Sequence, residues 1–183
     1  MKSHAGLLAV LGFFAVCSSA PADVETAGET HFTVVTSISV KAKPQAAWEH
    51  LLKIGSWWSS AHTWSGDANN LSLSVVPGGG FDEKLRNGGF VRHMDVIYSD
   101  PGAMLRMNGV LGPLQEFALQ GTMTITFSED GDATKISATY RVSGHFAGGL
   151  ENVAPAVDSV LTEQFRRLGE IIEGRPPGEP DKK

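Results

Sequence analysis

Cysteine is all but missing from this chain: Cys17 is the only one. No disulfide framework and no thiol nucleophile is expected beyond the first stretch of sequence. Positive charge is also short, with 15 Lys and Arg against 20 Asp and Glu and a net charge of −5. A protein that grips phosphates needs a basic footprint, so no nucleic-acid partner is expected. No CxxC or HxxxH pair occurs, so metal-ligand spacing is missing, and neither a metal nor another cofactor is expected. The glycines Gly78–Gly80 lack the lysine and following hydroxyl of a phosphate-binding loop. The longest apolar run, Gly6–Val16, is too short to hold a chain stably across a bilayer.

What is present begins with that run. Lys2 precedes it, and Ala20-Pro21-Ala22 places small residues where a signal peptidase reads. Residues 1–22 therefore read as a secretory signal peptide, with cleavage after Ala22 and an exported product, periplasmic or secreted. No stable membrane anchor would remain after cleavage. Lipidation at Cys17 fits poorly, because Val16 stands where a small residue is wanted. Residues 23–30 read as a polar linker without pattern, and 31–174 as one domain. The tail 175–183, rich in proline and charge, is expected to be disordered. Asn70-Leu71-Ser72 is a glycosylation sequon, relevant only in a eukaryotic host.

Within the domain, the stretch Val153–Ile172 dominates. Val157, Val160, Leu161, Gln164, Phe165, Leu168, Ile171 and Ile172 recur at steps of three and four, the stripe of a long amphipathic helix. Pro155 sits in its first turn, and Gly174 and Pro176 stop it. Most of what precedes it alternates. His31–Val40 is a strand, Pro44 opens a short helix, and an aromatic stretch Trp57–Trp64 follows. Six strands are then expected over Leu71–Val76, Phe81–Leu85, Phe90–Tyr98, Met104–Val110, Phe117–Phe127 and Lys135–Phe146, joined by short turns. The last two have one dry face and one wet face. The dry face must be covered, and the terminal helix is the element able to cover it.

Strand, short helix, six strands, long helix is the order of the helix-grip fold, an α+β architecture in which a curved seven-stranded antiparallel sheet clasps a C-terminal helix. The chain resembles the SRPBCC superfamily (START, polyketide cyclase, Bet v 1-like). Within it, the chain is most similar to uncharacterised bacterial proteins of the Hsp90-ATPase-activator homology group. The resemblance is carried by Pro44 and Trp48, Trp57-Trp58 with His62, Pro77-Gly78-Gly79-Gly80-Phe81, and His93, Val96, Pro101 and Leu105. It continues through Gly109–Gln115 and Gly144, Gly148-Gly149-Leu150 and Ala154–Asp158. It spans roughly residues 31 to 173. The leader departs from most such bacterial proteins, so the co-chaperone role and the ATPase-activator label are not carried over.

The resemblance implies a cavity between sheet and helix. A bent sheet of about seven strands cannot collapse fully onto one rod, so side chains or a guest must fill the gap. Met94, Met104, Met107 and Met123 are adaptable fillers on expected strands, suited either to lining a pocket or to plugging an irregular core. Trp57, Trp58 and Trp64 read as the mouth of the cavity or as packing for the aromatic segment. One of the adjacent pair Trp57-Trp58 is expected to point away from the core. Phe81, Phe117 and Phe165 complete the apolar lining. Tyr140, on a dry face, is a candidate polar anchor.

His62 and His93 are the histidines placed to matter. His93 and Asp95 share one face of an alternating strand. Phe90, Met94, Val96 and Tyr98 look drier, which leans toward turning both outward, with a cavity-facing His93 and Asp95 as the open alternative. Arg92, Arg106 and Arg141 read as exposed charges on strands. The acidic residues fall mostly in turns and on the helix exterior, where solvated charge is the default.

Three functions are open on the sequence. The favoured one is a non-catalytic binding module for an apolar small molecule, lipid- or polyketide-like. Its candidate site residues are Trp57, Trp58, His62, Trp64, Phe81, Met94, Met107, Phe117, Met123, Tyr140 and Phe165. The second is a cyclase- or hydratase-type enzyme with His62, His93 or Tyr140 as proton donor. The third is an envelope interaction protein, which requires a large exposed apolar patch.

Overall fold

The computed structural model describes residues 23–178. Eight antiparallel strands form one sheet: β1 Asp23–Gly28, β2 His31–Val40, β3 Leu71–Leu73, β4 Gly80–Lys84, β5 Phe90–Asp100, β6 Met104–Asn108, β7 Gln120–Asp130 and β8 Ala133–Ser143. Their order across the sheet is β1-β2-β8-β7-β6-β5-β4-β3. Two helices complete the fold, α1 Pro44–Leu51 and α2 Ala154–Ile172. This is the helix-grip arrangement, with one more strand than expected.

The extra strand is the stretch that reads as a linker. Residues 23–28 pair with β2, from Asp23 opposite Val35 to Gly28 opposite His31. β2 is thereby paired on both sides, since β8 takes its other edge in unbroken register. An unpaired edge next to the centre of a sheet is costly, and β1 satisfies it. The expected signal peptide lies outside the described residues.

The alternating strands hold their phase where the register is unbroken. Phe32, Val34, Ile38 and Val40 on β2 are buried, as are Met123, Ile125 and Phe127 on β7 and Ile136, Ala138, Tyr140 and Val142 on β8. One row runs across the interior: Val34, Tyr140, Met123, Met107 and Val96 are successive register partners. The helix α2 buries Leu161, Gln164, Phe165 and Leu168, one stripe at helical spacing. On α1 the buried side is Ala47, Trp48 and Leu51, and Trp48 meets Phe127 edge-on at 5.7 Å.

β5 breaks the alternation, for a definable reason. Its pairing with β4 slips between Phe81 and Asp82, leaving His93 as an extra residue. Its pairing with β6 slips again between Val96 and Tyr98. Each bulge advances the side-chain phase by one residue and bends the strand. His93 and Met94 therefore both point inward and are buried, while Phe90 is 72% exposed and Tyr98 47%. The expectation that His93 turns outward and that Phe90 and Tyr98 lie on the drier face is corrected; Asp95 is exposed as expected. Arg92 lies on the outer face, where it pairs with Asp82 and Asp95.

Two glycines make room for the first bulge. A Cβ on Gly80 would come within 2.5 Å of the Met94 carbonyl oxygen, and one on Gly109 within 2.7 Å of the His93 carbonyl oxygen. Gly109 also has φ +147°, a conformation side chains disfavour. The start of β4 and the residue just past β6 thus lack side chains where the bulged backbone presses closest.

The tail departs from expectation over its first residues. The Gly178 carbonyl accepts from Arg166 and Arg167, and the Gly178 N–H donates to Glu170 at 3.0 Å, so 175–178 lies along α2. No helix among the described residues is long and apolar enough to cross a membrane.

Candidate functional site

An open cleft of about 480 Å³ lies between the sheet and the first half of α2. Ala61, His62, Thr63 and Trp64 form one rim, and Leu111–Leu114 the other. Val153, just before α2, and Ala156, Val157, Val160 and Leu161 of α2 form a wall. Trp58, Phe81, His93 and Tyr140 close the inner side. Of the sequence candidates, the cleft brings together Trp58, His62, Trp64, Phe81 and Tyr140.

The remaining candidates lie elsewhere. Trp57, Met94, Met107, Met123 and Phe165 surround a second space of only about 20 Å³, enough for a water and no organic molecule. Phe117 lies in the loop before β7, 41% exposed, and packs edge-on against Phe146 at 4.8 Å. The expected strand there starts three residues too early, because the helical turn Gly112–Glu116 delays β7 to Gln120.

The aromatic segment also differs from expectation. Both Trp57 and Trp58 are buried. The chain there is neither strand nor regular helix, so adjacent side chains need not oppose each other. Trp57 contacts Phe165 on α2 at 6.3 Å between centroids, and Trp58 contacts Phe81 on β4 at 5.4 Å. Each indole finds a carbonyl: Trp57 Nε1 donates to Leu51 and Trp58 Nε1 to His62, the latter at 2.9 Å.

Behind the cleft sits a buried acid, where the sequence pattern predicts solvated charge. Glu83 is 0% exposed. Its Oε2 lies 3.0 Å from Nε2 of His93 and accepts from the Trp64 backbone N–H at 3.1 Å. Its Oε1 accepts from the Ser65 N–H. A readable signal existed. Phe81 and Glu83 are two apart on one strand, so an inward Phe81 carries Glu83 inward with it.

Burial works to raise the Glu83 pKa, but the donors from Ser65, Trp64 and His93 outweigh it and hold the carboxyl below the ordinary range. Burial pushes His93 below its ordinary 6.5, against the opposing pull of Glu83. The pair at neutral pH is thus an ionised carboxylate beside a neutral imidazole. The carboxylate can only accept, so the His93 proton sits on Nε2 and Nδ1 keeps its lone pair. The Phe81 ring lies 4.5 Å from the imidazole and tilted 33°, which fixes the ring plane.

Two more contacts shape the cleft. Tyr140 accepts the Leu111 N–H at 2.9 Å, and burial pushes its pKa upward, so the phenol stays protonated. No acceptor for its own proton is seen among the described residues. His62 Nε2 lies 3.2 Å from Glu163 Oε2, tying one rim to α2. The rims are therefore held by hydrogen bonds: Trp64 and Ser65 N–H donate to Glu83, the Leu111 N–H to Tyr140 and the Trp58 indole to the His62 carbonyl, while the His62 ring pairs with Glu163.

No curated protein matches the chain in sequence. Solved structures are similar in fold. A conserved protein of unknown function, EF2215 from Enterococcus faecalis, aligns at 15% identity and TM-score 0.57, over 90% of this chain and 82% of that one. The solution structure of CalU16 from Micromonospora echinospora aligns at 17% identity and TM-score 0.58, over 93% and 81%. The di-domain ARO/CYC protein BexL, from the BE-7585A biosynthetic pathway, aligns at 15% identity and TM-score 0.52, over 83% of this chain and 52% of that one. Likeness at these identities shows the fold alone. The family described as polyketide cyclase / dehydrase and lipid transport matches residues 31–173, so the chain belongs to that family, within the SRPBCC superfamily.

Proposed function

We propose that this protein binds an apolar small molecule in the cleft under the first half of α2. The observation that carries the reading is the cleft itself: about 480 Å³, walled by aliphatic and aromatic side chains, with His93 and Tyr140 on its inner side. Volume and lining fall within the range of small-molecule sites, where apolar surface gives affinity and a few polar groups orient the guest. The expected leader makes the binder an exported one. Titration with an uncharged naphthylamine dye tests the pocket, and Ala156→Trp, on the helix wall, should fill it. Saturable binding that weakens at least tenfold in the variant supports the site. Absent binding, or binding indifferent to the variant, removes it. Fusion of residues 1–30 to a reporter active only outside the cytoplasm tests export.

A second reading, a cyclase- or dehydratase-type enzyme, is favoured by the Glu83–His93 pair. A carboxylate that holds imidazole in one tautomer, with the free nitrogen as base, is the geometry of proton abstraction. An α C–H proton of a bound ketone would pass to Nδ1, its electron pair moving to the carbonyl oxygen. Exchange of the α-protons of 2-tetralone in deuterated water, followed by NMR, tests this. Catalysed exchange that disappears in His93→Gln supports the reading, and exchange at the solvent rate ends it.

A further inference from the structure

We infer that the cleft selects an apolar molecule carrying one uncharged hydroxyl, an alcohol or phenol, and rejects carboxylates. This rests on the cleft being the binding site and names the guest it accepts. His93 has one nitrogen committed to Glu83, at 3.0 Å, and the ring is buried. The polar atom that the ring leaves for a guest is Nδ1, an acceptor. His93 lines the cleft, and an acceptor beside an apolar space is satisfied by a donor; a hydroxyl is the uncharged donor an apolar molecule most simply brings.

The charges exclude the alternative. Glu83 is fully buried directly behind His93. Among the described residues, no lysine or arginine lines the cleft. His62, on the rim, is already joined to Glu163. A carboxylate guest would enter an apolar space with a like charge behind the floor and no fixed cation in front of it. A hydroxyl meets neither cost.

Three bicyclic probes of one shape separate the possibilities: 2-naphthol, 2-methoxynaphthalene and 2-naphthoate, each titrated at pH 7.5 against the purified chain by calorimetry or fluorescence. The inference expects 2-naphthol to bind about tenfold tighter than its methyl ether, the scale of one buried acceptor left unpaired. It expects 2-naphthoate to bind weakest. In His93→Phe the naphthol-to-ether preference should fall to about one. In Glu83→Gln the charge is gone, and an amide can hold either imidazole tautomer, so discrimination against 2-naphthoate should shrink. If these variants fail to fold, the ranking in the unaltered chain decides alone. Equal binding of naphthol and ether, or naphthoate bound best, overturns the inference and leaves the cleft as a site. Binding of none of the three overturns the cleft reading itself.

Discussion

Under the second half of α2, Phe165 is sealed against Trp57, with Met94, Met107 and Met123 around a space of about 20 Å³. Under the first half, Val153, Val157 and Val160 stand half-buried over about 480 Å³. The same helix, with the same spacing of apolar residues, roofs a filled core and an open cleft. The difference lies in what faces it. Opposite the closed half are flexible thioethers and indoles that adapt to fill irregular gaps. Opposite the open half are the two rims, whose backbones are pinned by Glu83 and Tyr140. Met94, Met107 and Met123, of the residue type that suggests a guest, mark the half with no room for one, while Met104 meets Arg106 instead.

The sharpest way to break this contrast is to truncate one residue on each side. Phe165→Ala in the closed half should cost about 3–5 kcal/mol, the cost of emptying a packed aromatic site. Val157→Ala on the cleft wall should cost under about 1 kcal/mol, because that side chain is incompletely packed to begin with. Urea denaturation of both variants measures the gap. Equal losses would mean the cleft wall is packed as tightly as the core, and the comparison would fall.

Gly109→Ala tests the bulge that delivers His93 to the cleft. A side chain there meets the His93 carbonyl oxygen within 2.7 Å and must adopt φ +147°. A loss of about 1–3 kcal/mol is expected. Because the strain falls on the floor of the cleft, dye affinity should drop in the same variant. A stability loss with affinity untouched would show that the bulge does not position the floor.

These sites also show how far the sequence could be read. β2, β7 and β8 alternate without interruption, so their inward residues, Tyr140 and Met123 among them, were legible from period alone. The terminal helix was legible for the same reason. β5 was not, because a bulge adds one residue without any mark in the local composition. The glycines that accommodate it, Gly80 at the start of β4 and Gly109 just past β6, lie outside β5 itself, and their meaning depends on register. Glu83 was legible in principle from Phe81, but only by giving strand phase more weight than the habit of placing charge outside. The stretch 23–28 looked like a linker because its polar residues suit an edge strand as well as a loop.

The pH response should distinguish the polar floor from the apolar wall. The folded state holds His93 neutral below its ordinary 6.5 and Glu83 ionised below its ordinary 4.5. For both groups the unfolded chain takes up protons more readily, so stability falls as pH drops. The His93 contribution is complete above 6.5 and is lost first; the Glu83 contribution begins to go below 4.5. Tyr140 acts at the other end: its raised pKa means stability is lost as pH climbs past the ordinary 10.0. Thermal unfolding midpoints measured from pH 4 to 11 check all three. His93→Gln should flatten the slope between pH 7 and 5 relative to the parent, and an unchanged slope there would place the acid sensitivity on other groups.

The smallest stability effect belongs to the contact that crosses from rim to wall. His62 lies 3.2 Å from Glu163, with side chains 33% and 15% exposed, so solvent screens much of the interaction. Removing it with His62→Ala should cost at most about 1 kcal/mol. Its effect on the cleft should be larger than its effect on the fold. His62 also offers its carbonyl to the Trp58 indole, a backbone contact that the substitution leaves in place. The rim then loses its tie to α2 while keeping its tie to the core. Dye release measured by stopped flow should therefore quicken several-fold, while the denaturation midpoint barely moves. If release and midpoint change together, the rim is part of the packed core. If neither changes, the His62–Glu163 contact does not govern entry, and the pinning by Glu83 is enough to hold the mouth in place.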